Sequence, residues 1–587
     1  MDSKRIIVTS ALPYVNNVPH LGNVVGCVLP ADVYVRYLRH IKNREVLFIG
    51  GVDEYGTATE MKARELGITC KELCDQNYDI HKDAYDWFKI DFDCYGRTSQ
   101  PNGKPEEPDN LWPHTSITQE IYRSLVETDA VIEQEEVVWY CEEIQAFVAD
   151  RYIISECYHC QNESADGDQC DKCGQLLSTD RLVNPRYKPN PDFALTKKVT
   201  TNLYLDLPTI WETQNMDEWF EQNRSSWSST AETITVNWLR TKGLKPRSIS
   251  RDLKWGTRVP TTDKYGDKYQ EKVFYVWFDA PIGYLSIMEN AIGRTQALEW
   301  WNRETELIQF MAKDNVPFHS IIFPATLAPL TGNGYTLPST TAIASSDYLM
   351  YEGSKFSKSK NLGLFCDDVI RISQDLKIDA DLFRLYLIYV RPESADSNFV
   401  MNEQGMVDFH NSILINNLGN MCHRIRSILF QYGKKHDLTL TQYDSILEVT
   451  EITNDPIKSF HQDLQTLQTE FHRLMGEIRL RDALKVLFEV SSRCNTLVNE
   501  VKPWEYTKKD RAEIPPLFYE FMVSTYLTIR WIGQNIGPFA PGIGQRIQTD
   551  FPLEDSDVMT LNAPDTKPKP MFSPLEYIDV SKYKNNN

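Results

Sequence analysis

Residues 5–23 read RIIVTSALPYVNNVPHLGN, and this stretch decides the fold. Its apolar, β-branched run at Ile6, Ile7 and Val8 predicts a short buried strand. The turn-rich segment 13–19 predicts a loop, and a helical run begins after it. Strand, loop and helix start, in this order, form the first crossover of an α/β nucleotide-binding fold, in which the helix N-terminus attracts anions.

The sequence HLGN at residues 20–23 stands at that helix start. An imidazole at His20 can donate a hydrogen bond to a phosphate oxygen, and Gly22 lets a ligand approach the backbone. Considered alone, the motif is better explained by a satisfied histidine beside an ordinary turn. A second stretch, KFSKS at residues 355–359, favours the phosphate interpretation of His20, although a solvated loop is the usual explanation for such a stretch. Its lysine charges and serine hydroxyls suit a clamp on departing pyrophosphate.

The composition fits a soluble globular protein of several domains. A length of 587 residues predicts roughly three to five domains. The net charge of -20 argues against broad non-specific nucleic-acid binding, but it permits a local basic track. We expect no membrane span and no signal peptide. The scattered cysteines predict a reducing, cytoplasmic setting.

A second apolar run at residues 45–49 predicts another strand of a parallel sheet. Asp53 follows it, at the sheet edge where ligands bind in such folds, although a carboxylate that starts the next helix is an equal alternative. Three later runs predict that the sheet resumes after an interruption. They lie at residues 273–278, 307–312 and 341–345.

Two C-x-x-C pairs lie inside the interrupting region: Cys157 with Cys160, and Cys170 with Cys173. This spacing predicts a tetrahedral thiolate site for zinc, against a smaller chance of accidental clustering or disulfides. A site with four thiolate ligands has no open position, so we expect a structural and not a catalytic metal.

The last third of the chain has apolar residues at helical spacing from about residue 408, which predicts an α-helical bundle. Trp504 follows Pro503 and can stack on an unpaired base, although a tryptophan that fills a bundle corner is more common. The Pro-, Lys- and Asn-rich tail, residues 564–587, is predicted to be loosely held.

Taken together, the motifs resemble the class I aminoacyl-tRNA synthetases, specifically the methionyl-tRNA synthetase family of the eukaryotic cytosolic type. Each motif alone is weak, but the ordered set is specific and covers nearly the whole chain. The motifs are ALPYVNNVPHLGN at 11–23, GVDEYGTAT at 51–59, the paired C-x-x-C, YVWFDAPIGY at 275–284, FMAKDNVPFHS at 310–320, KFSKS at 355–359, INNLGN at 415–420 and KPW at 502–504.

The resemblance implies an α/β Rossmann-like catalytic domain, interrupted by a zinc-knuckle connective insertion and followed by a C-terminal α-helical bundle. The expected boundaries are 1–117 and 273–349 for the two halves of the catalytic domain, 118–272 for the insertion, 350–407 for the KFSKS loop and a junction domain, and 408–587 for a helical anticodon-binding domain with its loose tail.

The resemblance also implies ATP-dependent ligation of L-methionine to tRNA(Met) through methionyl-adenylate. Catalysis falls on His20, Asn23, Lys355 and Lys358. ATP binding falls on Tyr14, His20, Gly22, Asn23, Asp314 and Lys358. Methionine binding falls on Ala11, Leu12, Tyr14, Asp53, Trp277, Ala280, Pro281, Tyr284 and His319. Anticodon binding falls on Asn417, Pro503 and Trp504. One structural zinc on the four cysteines, Mg²⁺ with ATP and a monomeric state are further implications.

The sequence departs from the family pattern at three places. Asn23 stands where the general class motif ends in histidine, and Phe356 stands where many members have methionine. Met421 stands where bacterial members have an anticodon-reading arginine, so part of the base readout has no assigned residue.

Other functions remain open from the sequence. A non-catalytic zinc-knuckle RNA-binding factor on the same fold is the main alternative, although the intact His20 and Lys358 oppose it. A small-molecule nucleotidyltransferase shares the H-x-G-x turn but does not need so long a helical bundle. The insertion is too short for the editing domain of valyl, isoleucyl or leucyl enzymes, and Ser10 and Ala11 stand where cysteinyl enzymes have a cysteine.

Overall fold

The computed structural model describes residues 5–101, 112–148, 152–167, 170, 172, 177, 181–330, 334–356, 362–434, 454–552 and 567–584. Lys358 and Cys173 therefore lie outside the described residues. The strands are β1 Ile6–Ser10, β2 Val46–Val52, β3 Cys94–Arg97, β4 Val131–Cys141, β5 Ala146–Phe147, β6 Ile153–Glu156, β7 Ala165–Asp166, β8 Val183–Tyr187, β9 Leu195–Leu205, β10 Arg247–Ser248, β11 Ser250–Arg251, β12 Val273–Phe274, β13 Glu306–Ala312, β14 Thr340–Ser346, β15 Leu349–Tyr351 and β16 Ser397–Phe399.

The α-helices are α1 Leu21–Asn23, α2 Leu29–His40, α3 Thr57–Leu66, α4 Cys70–Trp87, α5 Pro113–Glu127, α6 Leu207–Thr213, α7 Met216–Asn223, α8 Ser229–Val236, α9 Val276–Ile292, α10 Arg294–Trp300, α11 Phe323–Leu327, α12 Cys366–Leu376, α13 Ala380–Tyr389, α14 Met406–Phe409, α15 Asn420–Gly433, α16 Asp455–Gly476, α17 Leu480–Val501, α18 Pro516–Ile536 and α19 Pro541–Asp550. The π-helical turns are Val24–Val28, Asn237–Lys242, Phe318–Ile322 and His410–Gly419. The 3₁₀ turns are Arg224–Ser226, Lys313–Asn315, Pro503–Glu505, Arg511–Glu513 and Val580–Lys582.

A five-stranded parallel sheet in the order β14-β13-β1-β2-β3 forms the centre of the catalytic half. Strands β1 and β2 are buried along their whole length, as expected for a sheet that helices cover on both faces. The strand order reverses between β1 and β13, because the chain runs from β1 through β2 to β3 and then crosses back to β13 on the other side of β1. Ligands bind at such a switch point. The predicted Rossmann-like arrangement is confirmed, and the runs predicted as strands at 6–8, 45–49, 307–312 and 341–345 lie in it.

The expected strand at residues 273–278 is wrong. Only Val273–Phe274 is extended, and it pairs with β11 outside the main sheet. The aromatic residues that indicated a strand form the first turn of α9, which begins after Tyr275. At helical spacing, Phe278, Ile282 and Leu285 are all buried, so packing of this face overrides the β propensity of the aromatic run.

The region that interrupts the sheet contains a long antiparallel hairpin, which the sequence analysis did not predict. Strands β4 and β9 pair along their full length, from Val131 opposite Leu205 to Cys141 opposite Leu195. A three-stranded sheet in the order β7-β6-β8 lies beyond the end of the hairpin, around a small separate core.

The C-terminal part is helical, which confirms the predicted bundle. Helices α16, α17 and α18 pack together, and α19 packs on α18. In the described parts of the chain, no helix is long and apolar enough to cross a membrane.

One buried arginine joins this bundle to the sheet half. The Arg384 side chain on α13 is fully buried, and its Nη2 lies 2.6 Å from Asp32 Oδ2 on α2. Its other donors reach backbone carbonyls of Phe88, Pro538 and Phe539, at 2.8–2.9 Å. A single guanidinium therefore connects the sheet half, the junction and the bundle.

The expected loose tail is wrong for residues 567–584, which lie in an extended path across the bundle. Met571 and Ile578 are buried. The side chain of Asn411 bonds to both the N–H and the carbonyl of Leu575, and Asn402 does the same to Ile578. Paired hydrogen bonds between side-chain amides and the backbone hold this segment, although it has no periodic apolar pattern. Composition alone therefore predicted a loosely held tail.

Candidate active site

A cavity of about 350 Å³ lies at the carboxyl ends of β1 and β2. The loop after β1, the start of α9 and the π-helical turn Phe318–Ile322 surround it. All nine residues that the resemblance assigns to the amino-acid pocket line this cavity: Ala11, Leu12, Tyr14, Asp53, Trp277, Ala280, Pro281, Tyr284 and His319. A cavity this small, with both apolar and polar walls, suits a small ligand with an apolar part and a charged group.

Asp53 supplies the negative charge of the cavity. The residue is 3% exposed, and its Oδ1 has no hydrogen-bond partner among the described residues. Burial, and then the negative charge of Asp279, raise the pKa of Asp53 well above its usual value. A buried carboxylate with an unsatisfied oxygen is costly unless a ligand completes it. The site is therefore suited to a ligand with an ammonium group.

His319 and Tyr284 form a neutral hydrogen-bonded pair in the wall of the cavity. His319 Nδ1 lies 2.8 Å from the Asn315 carbonyl and must donate to it, so Nε2 accepts from the Tyr284 hydroxyl at 2.7 Å. Burial lowers the pKa of His319 to about 4, which agrees with this neutral form. The pair is a fixed, uncharged wall at neutral pH.

His20 caps the helix that begins with α1. Its Nδ1 accepts from the Asn23 N–H at 3.3 Å, while the Asn23 Oδ1 accepts from the His20 N–H at 3.1 Å. Burial lowers the pKa of His20 to about 4, so the neutral ring carries its proton on Nε2 and can donate it to a ligand. Gly22 allows this ring position, because a Cβ there would lie 2.9 Å from the ring.

The two stretches that the sequence analysis paired do converge. The ring of Phe356, in KFSKS, stacks on His20 with centroids 4.6 Å apart and planes 9° from parallel. Gly363, with φ +117°, makes room for Phe356, because a Cβ there would lie 2.3 Å from that ring. The segment that enters the loop therefore contacts the helix start directly.

The negative charge of Asp53 lies in the cavity, whereas the positive charge of Lys355 lies in this loop. The cavity lining contains no lysine or arginine among the described residues, and its third histidine, His81, also has its pKa lowered by burial to about 4. Lys355 is exposed, with its Nζ 4.8 Å from the Tyr348 ring centroid. Any polyphosphate at His20 must therefore obtain its lysine contacts from the loop and not from the cavity.

Some residues predicted for ATP binding do not line the cavity, and the sequence did not predict some residues that do line it. Asn23 lines the cavity, whereas Gly22 and Asp314 do not. Asp314 is exposed and accepts from the Tyr348 hydroxyl at 2.6 Å. The missed lining residues include His81, Asn315, Phe318 and Phe365. Phe318 contacts the Trp277 ring at 4.8 Å and stands beside His319 in sequence, a signal that could have identified it.

Three cysteines form the candidate metal centre in the inserted region. The sulfur atoms of Cys157, Cys160 and Cys170 all lie within 4.8 Å of one another. Cys157 and Cys170 are buried in the small core beyond the hairpin. Soft thiolates converging at this distance suit a zinc ion.

The residues predicted for the anticodon lie on two segments of the helical part, the π-helical turn His410–Gly419 and the 3₁₀ turn Pro503–Glu505. Asn417 donates to the Phe488 carbonyl at 2.8 Å, Pro503 is buried, and Trp504 is 46% exposed. Met421 is fully buried and offers nothing to solvent. The guanidinium of Arg424 lies 6.0 Å from the Trp504 ring centroid, one turn farther along the helix.

Comparison with known proteins gives a consistent result. The family described as "tRNA synthetases class I (M)" matches residues 6–426. A probable cytoplasmic methionine–tRNA ligase of Dictyostelium discoideum is 37% identical over 562 residues, which are 95% of this chain and 70% of that protein. The cytoplasmic methionine–tRNA ligase of Homo sapiens is 41% identical over 516 residues, 87% of this chain and 52% of that protein. The chain thus spans about half the length of the human relative.

A solved structure shares the fold. The crystal structure of Mycobacterium tuberculosis methionyl-tRNA synthetase bound by methionyl-adenylate matches with a TM-score of 0.70. The match covers 96% of this chain and 99% of that chain, at 18% sequence identity.

Proposed function

Because the chain belongs to the class I (M) family of tRNA synthetases, we propose that it joins L-methionine to tRNA(Met) in two ATP-dependent steps. A methionine carboxylate oxygen attacks the α-phosphorus of ATP, and the bond to the departing pyrophosphate breaks. A terminal ribose hydroxyl of the tRNA then attacks the adenylate carbonyl, and AMP leaves.

The observation that carries this proposal is the unsatisfied Oδ1 of Asp53 in a cavity whose described lining has no other carboxylate and no lysine or arginine. The substrate ammonium pairs with Asp53, and the apolar and aromatic wall receives the thioether side chain, which aromatic rings favour. His319 and Tyr284 hold the end of the pocket in one neutral arrangement. The remaining assigned pocket residues, Ala11, Leu12, Tyr14, Trp277, Ala280 and Pro281, provide shape.

Phosphate binding is assigned to the helix start and the adjoining loop. His20 donates from Nε2 to a phosphate oxygen, and Asn23 and Gly22 keep the helix N-terminus open to it. Lys355 and Lys358 stabilise the charge on pyrophosphate as it leaves. Tyr14 and Asp314 are the other residues assigned to ATP binding. Mg²⁺ bound to ATP would neutralise phosphate charge, and the described lining of the cavity offers one carboxylate, Asp53.

A single structural zinc ion is assigned to Cys157, Cys160, Cys170 and Cys173. The three described thiols form the donor set that zinc prefers, and four thiolates leave no open position for chemistry. The ion would stabilise the small core beyond the hairpin, which has few other buried apolar residues.

Replacing Cys170 by serine is expected to abolish zinc binding and to make residues 118–272 sensitive to protease, because metal binding supplies much of the folding energy of so small a core. Metal content by atomic emission and limited proteolysis measure this. Cys70→Ser, a half-buried thiol outside the cluster, is the control and should retain the metal. Unchanged zinc content in Cys170→Ser contradicts the assignment.

The bundle is assigned to anticodon binding through Asn417, Pro503 and Trp504. The exposed Trp504 ring offers a face for an unpaired base, and Pro503 fixes the turn that presents it. Asn417 lies in the π-helical turn His410–Gly419. Its carbonyl and its Oδ1 accept hydrogen bonds from the side chain of Asn495 on α17.

Trp504→Ala is expected to lower kcat/KM for tRNA charging roughly 5- to 150-fold, the range for loss of one base–aromatic stack. Methionine-dependent ATP–pyrophosphate exchange should not change, because the cavity lies in the other half of the chain. Tyr577→Ala removes another exposed ring and serves as the control. Equal losses of charging and exchange would refute the anticodon assignment.

The domain boundaries, setting and assembly complete the proposal. The catalytic halves are residues 1–117 and 273–349, the insertion is 118–272, the loop and junction are 350–407, and the anticodon domain is 408–587. The names of the relatives support a cytoplasmic location. We assign a monomeric state, as the resemblance implies.

Pyrophosphate exchange measured separately with each of the twenty amino acids tests the function. We expect exchange with methionine and not with the others, followed by charging of tRNA(Met). Absence of exchange, together with retained tRNA binding, would support a non-catalytic RNA-binding factor instead.

A further inference from the structure

Two phenylalanine rings contact the imidazole of His20, one from within the KFSKS stretch and one from shortly after it. Phe356 stacks on a face of the imidazole, with ring centroids 4.6 Å apart and planes 9° from parallel. Phe365 meets the same ring edge-on, with centroids 6.2 Å apart and planes at 81°. The proposed function gives neither phenylalanine a role, although the imidazole that they contact is the proposed phosphate donor.

Backbone hydrogen bonds fix the second phenylalanine beside the helix start. The Leu21 N–H donates to the Leu364 carbonyl at 3.3 Å, and the Cys366 N–H donates to the Pro19 carbonyl at 2.9 Å. These bonds form a short antiparallel bridge, in which Phe365 lies opposite the histidine. The chain that follows the KFSKS stretch is therefore attached to the helix start by its backbone.

The fold leaves a defined place for the ring of Phe356. A Cβ on Gly363 would lie 2.3 Å from that ring, and a Cβ on Gly22 would lie 3.7 Å from it. The Tyr351 ring lies 5.9 Å from it, with the planes at 57°. The stack on the imidazole is thus one of several contacts that hold Phe356, and it belongs to the packing of this part of the chain.

The two ring nitrogens of His20 have different partners. Nδ1 accepts from the Asn23 N–H, so the neutral ring carries its proton on Nε2. In the described part of the chain, no residue bonds to Nε2. The Nδ1 bond is 3.3 Å long and restrains the ring weakly. The parallel contact with Phe356 restrains the plane of the ring, and with it the direction of the Nε2–H bond.

The charged side chains of the neighbouring elements have other partners. Asp368 and Arg371 on α12 pair with each other. The Lys355 Nζ lies 4.8 Å from the Tyr348 ring centroid. Burial, and not a neighbouring charge, lowers the pKa of His20 to about 4. Removal of a ring that covers the imidazole should therefore raise this pKa.

We propose that Phe356 is a positioning residue for ATP: its ring, stacked on His20, fixes the direction in which the imidazole Nε2–H meets a phosphate oxygen. Phe356 does not line the cavity, so it acts through the imidazole and not by touching methionine. The inference rests on the proposed function, because that function makes His20 the phosphate donor. It gives the KFSKS stretch a second task, besides the charge of its lysines.

The test compares wild type with Phe356→Ala, Phe356→Leu and Phe356→Tyr. Alanine removes the ring, leucine keeps apolar bulk without a flat face, and tyrosine keeps the flat face. Phe572→Ala is the matched control, because it removes a partly buried ring that packs edge-on against His410, 5.9 Å away, in the helical part. Methionine-dependent ATP–pyrophosphate exchange gives kcat and the KM for ATP. Calorimetry gives methionine affinity without ATP, and thermal melts report folding.

We expect Phe356→Ala to lower kcat/KM for ATP roughly 2- to 12-fold, the range for loss of one aromatic pair. Phe356→Leu should lose nearly as much, whereas Phe356→Tyr should retain most of the wild-type value. Methionine affinity should not change in any of these variants. Phe572→Ala should match wild type in exchange. If Phe356→Ala does not fold, Phe356→Leu decides, and wild-type kcat/KM for ATP in that variant overturns the proposal.

A double-mutant cycle with His20→Asn shows whether Phe356 acts through the imidazole. In the His20→Asn background, Phe356→Ala should have no further effect on kcat/KM for ATP. The same fold-loss in both backgrounds would mean that Phe356 acts independently of His20, and a loss of methionine affinity would mean that it shapes the cavity. Either result contradicts the proposal.

Nuclear magnetic resonance of protein labelled with ¹³Cε1-histidine gives a readout that does not depend on activity. The His20 signal is the one that His20→Asn lacks. In Phe356→Ala its pKa should rise from about 4 toward the ordinary value of 6.5, and Phe356→Tyr should keep the wild-type titration. An unchanged titration in Phe356→Ala overturns the proposal. Absence of methionine-dependent exchange in the wild type would instead refute the proposed function, and the titration would still show whether Phe356 covers His20.

Discussion

Asp53→Asn is expected to raise the KM for methionine roughly 30- to several-thousand-fold, because removal of one partner of a buried charge pair costs about 2–5 kcal/mol. The same variant should make the ligand-free protein more stable at neutral pH. Asp53 is buried with an unsatisfied oxygen, and the substitution removes that charge. Exchange kinetics and thermal melts measure the two effects.

The sign of the stability effect follows from the raised pKa of Asp53. A carboxyl group whose pKa is higher in the folded state destabilises the fold progressively as pH rises above its unfolded value, 3.8, toward the folded value. The advantage of Asp53→Asn should therefore be absent below about pH 4 and should grow with increasing pH. Saturating methionine should reverse it, because only the wild type binds the ligand tightly.

Asp83→Asn is the matched control, since Asp83 is exposed on α4. It should change neither the KM for methionine nor the pH dependence of the melting temperature. A wild-type KM for methionine in Asp53→Asn would contradict the assignment of this carboxylate to substrate binding.

Arg384→Met is expected to destabilise the protein by about 3–5 kcal/mol, the usual cost of breaking a buried ion pair. The substitution leaves Asp32 with less compensation and deprives three backbone carbonyls of their donor. Those carbonyls belong to separate segments, so we expect the bundle to loosen from the sheet half before either unfolds. Urea titration followed by circular dichroism should show an earlier transition.

Functional readouts separate this effect from general unfolding. At urea concentrations below the transition, Arg384→Met should lose more tRNA charging than methionine-dependent exchange. Charging requires the sheet half and the bundle to keep a fixed relative position, whereas exchange requires the cavity alone. Arg384→Lys should not restore the urea midpoint, since an ammonium group cannot bond to Asp32 and to all three carbonyls at once as the guanidinium does. Arg473→Met, which removes an exposed ion pair, should leave the urea midpoint unchanged. A wild-type midpoint for Arg384→Met would contradict the role of this arginine as the connection.

Much of the site was predictable because its residues follow strand ends. Asp53 comes directly after β2, and the 11–23 motif after β1, so both were expected at the ligand-binding edge of a parallel sheet. Their common cavity confirms that they lie together. Trp277 was placed beside them only through the resemblance, because its local sequence indicated a strand where a helix begins.

Other features could not be predicted for physical reasons. His114 on α5 lies 3.0 Å from Asp279 on α9, and this contact depends on how the two helices pack, so no local sequence pattern reveals it. Strands β4 and β9 carry polar residues along an exposed hairpin and therefore lack an apolar alternation. The tail is held by Asn402 and Asn411, which lie far from it in sequence.

The order of strands in the central sheet has a consequence for synthesis on the ribosome. Strand β1 pairs with β2 on one side and with β13 on the other. Residues 11–305 separate β1 from β13, and translation at roughly 5–20 residues per second takes on the order of 15–60 s to cover them. Throughout that interval the nascent chain exposes an apolar strand edge that only later-made residues can cover, so holdase chaperones should bind it cotranslationally.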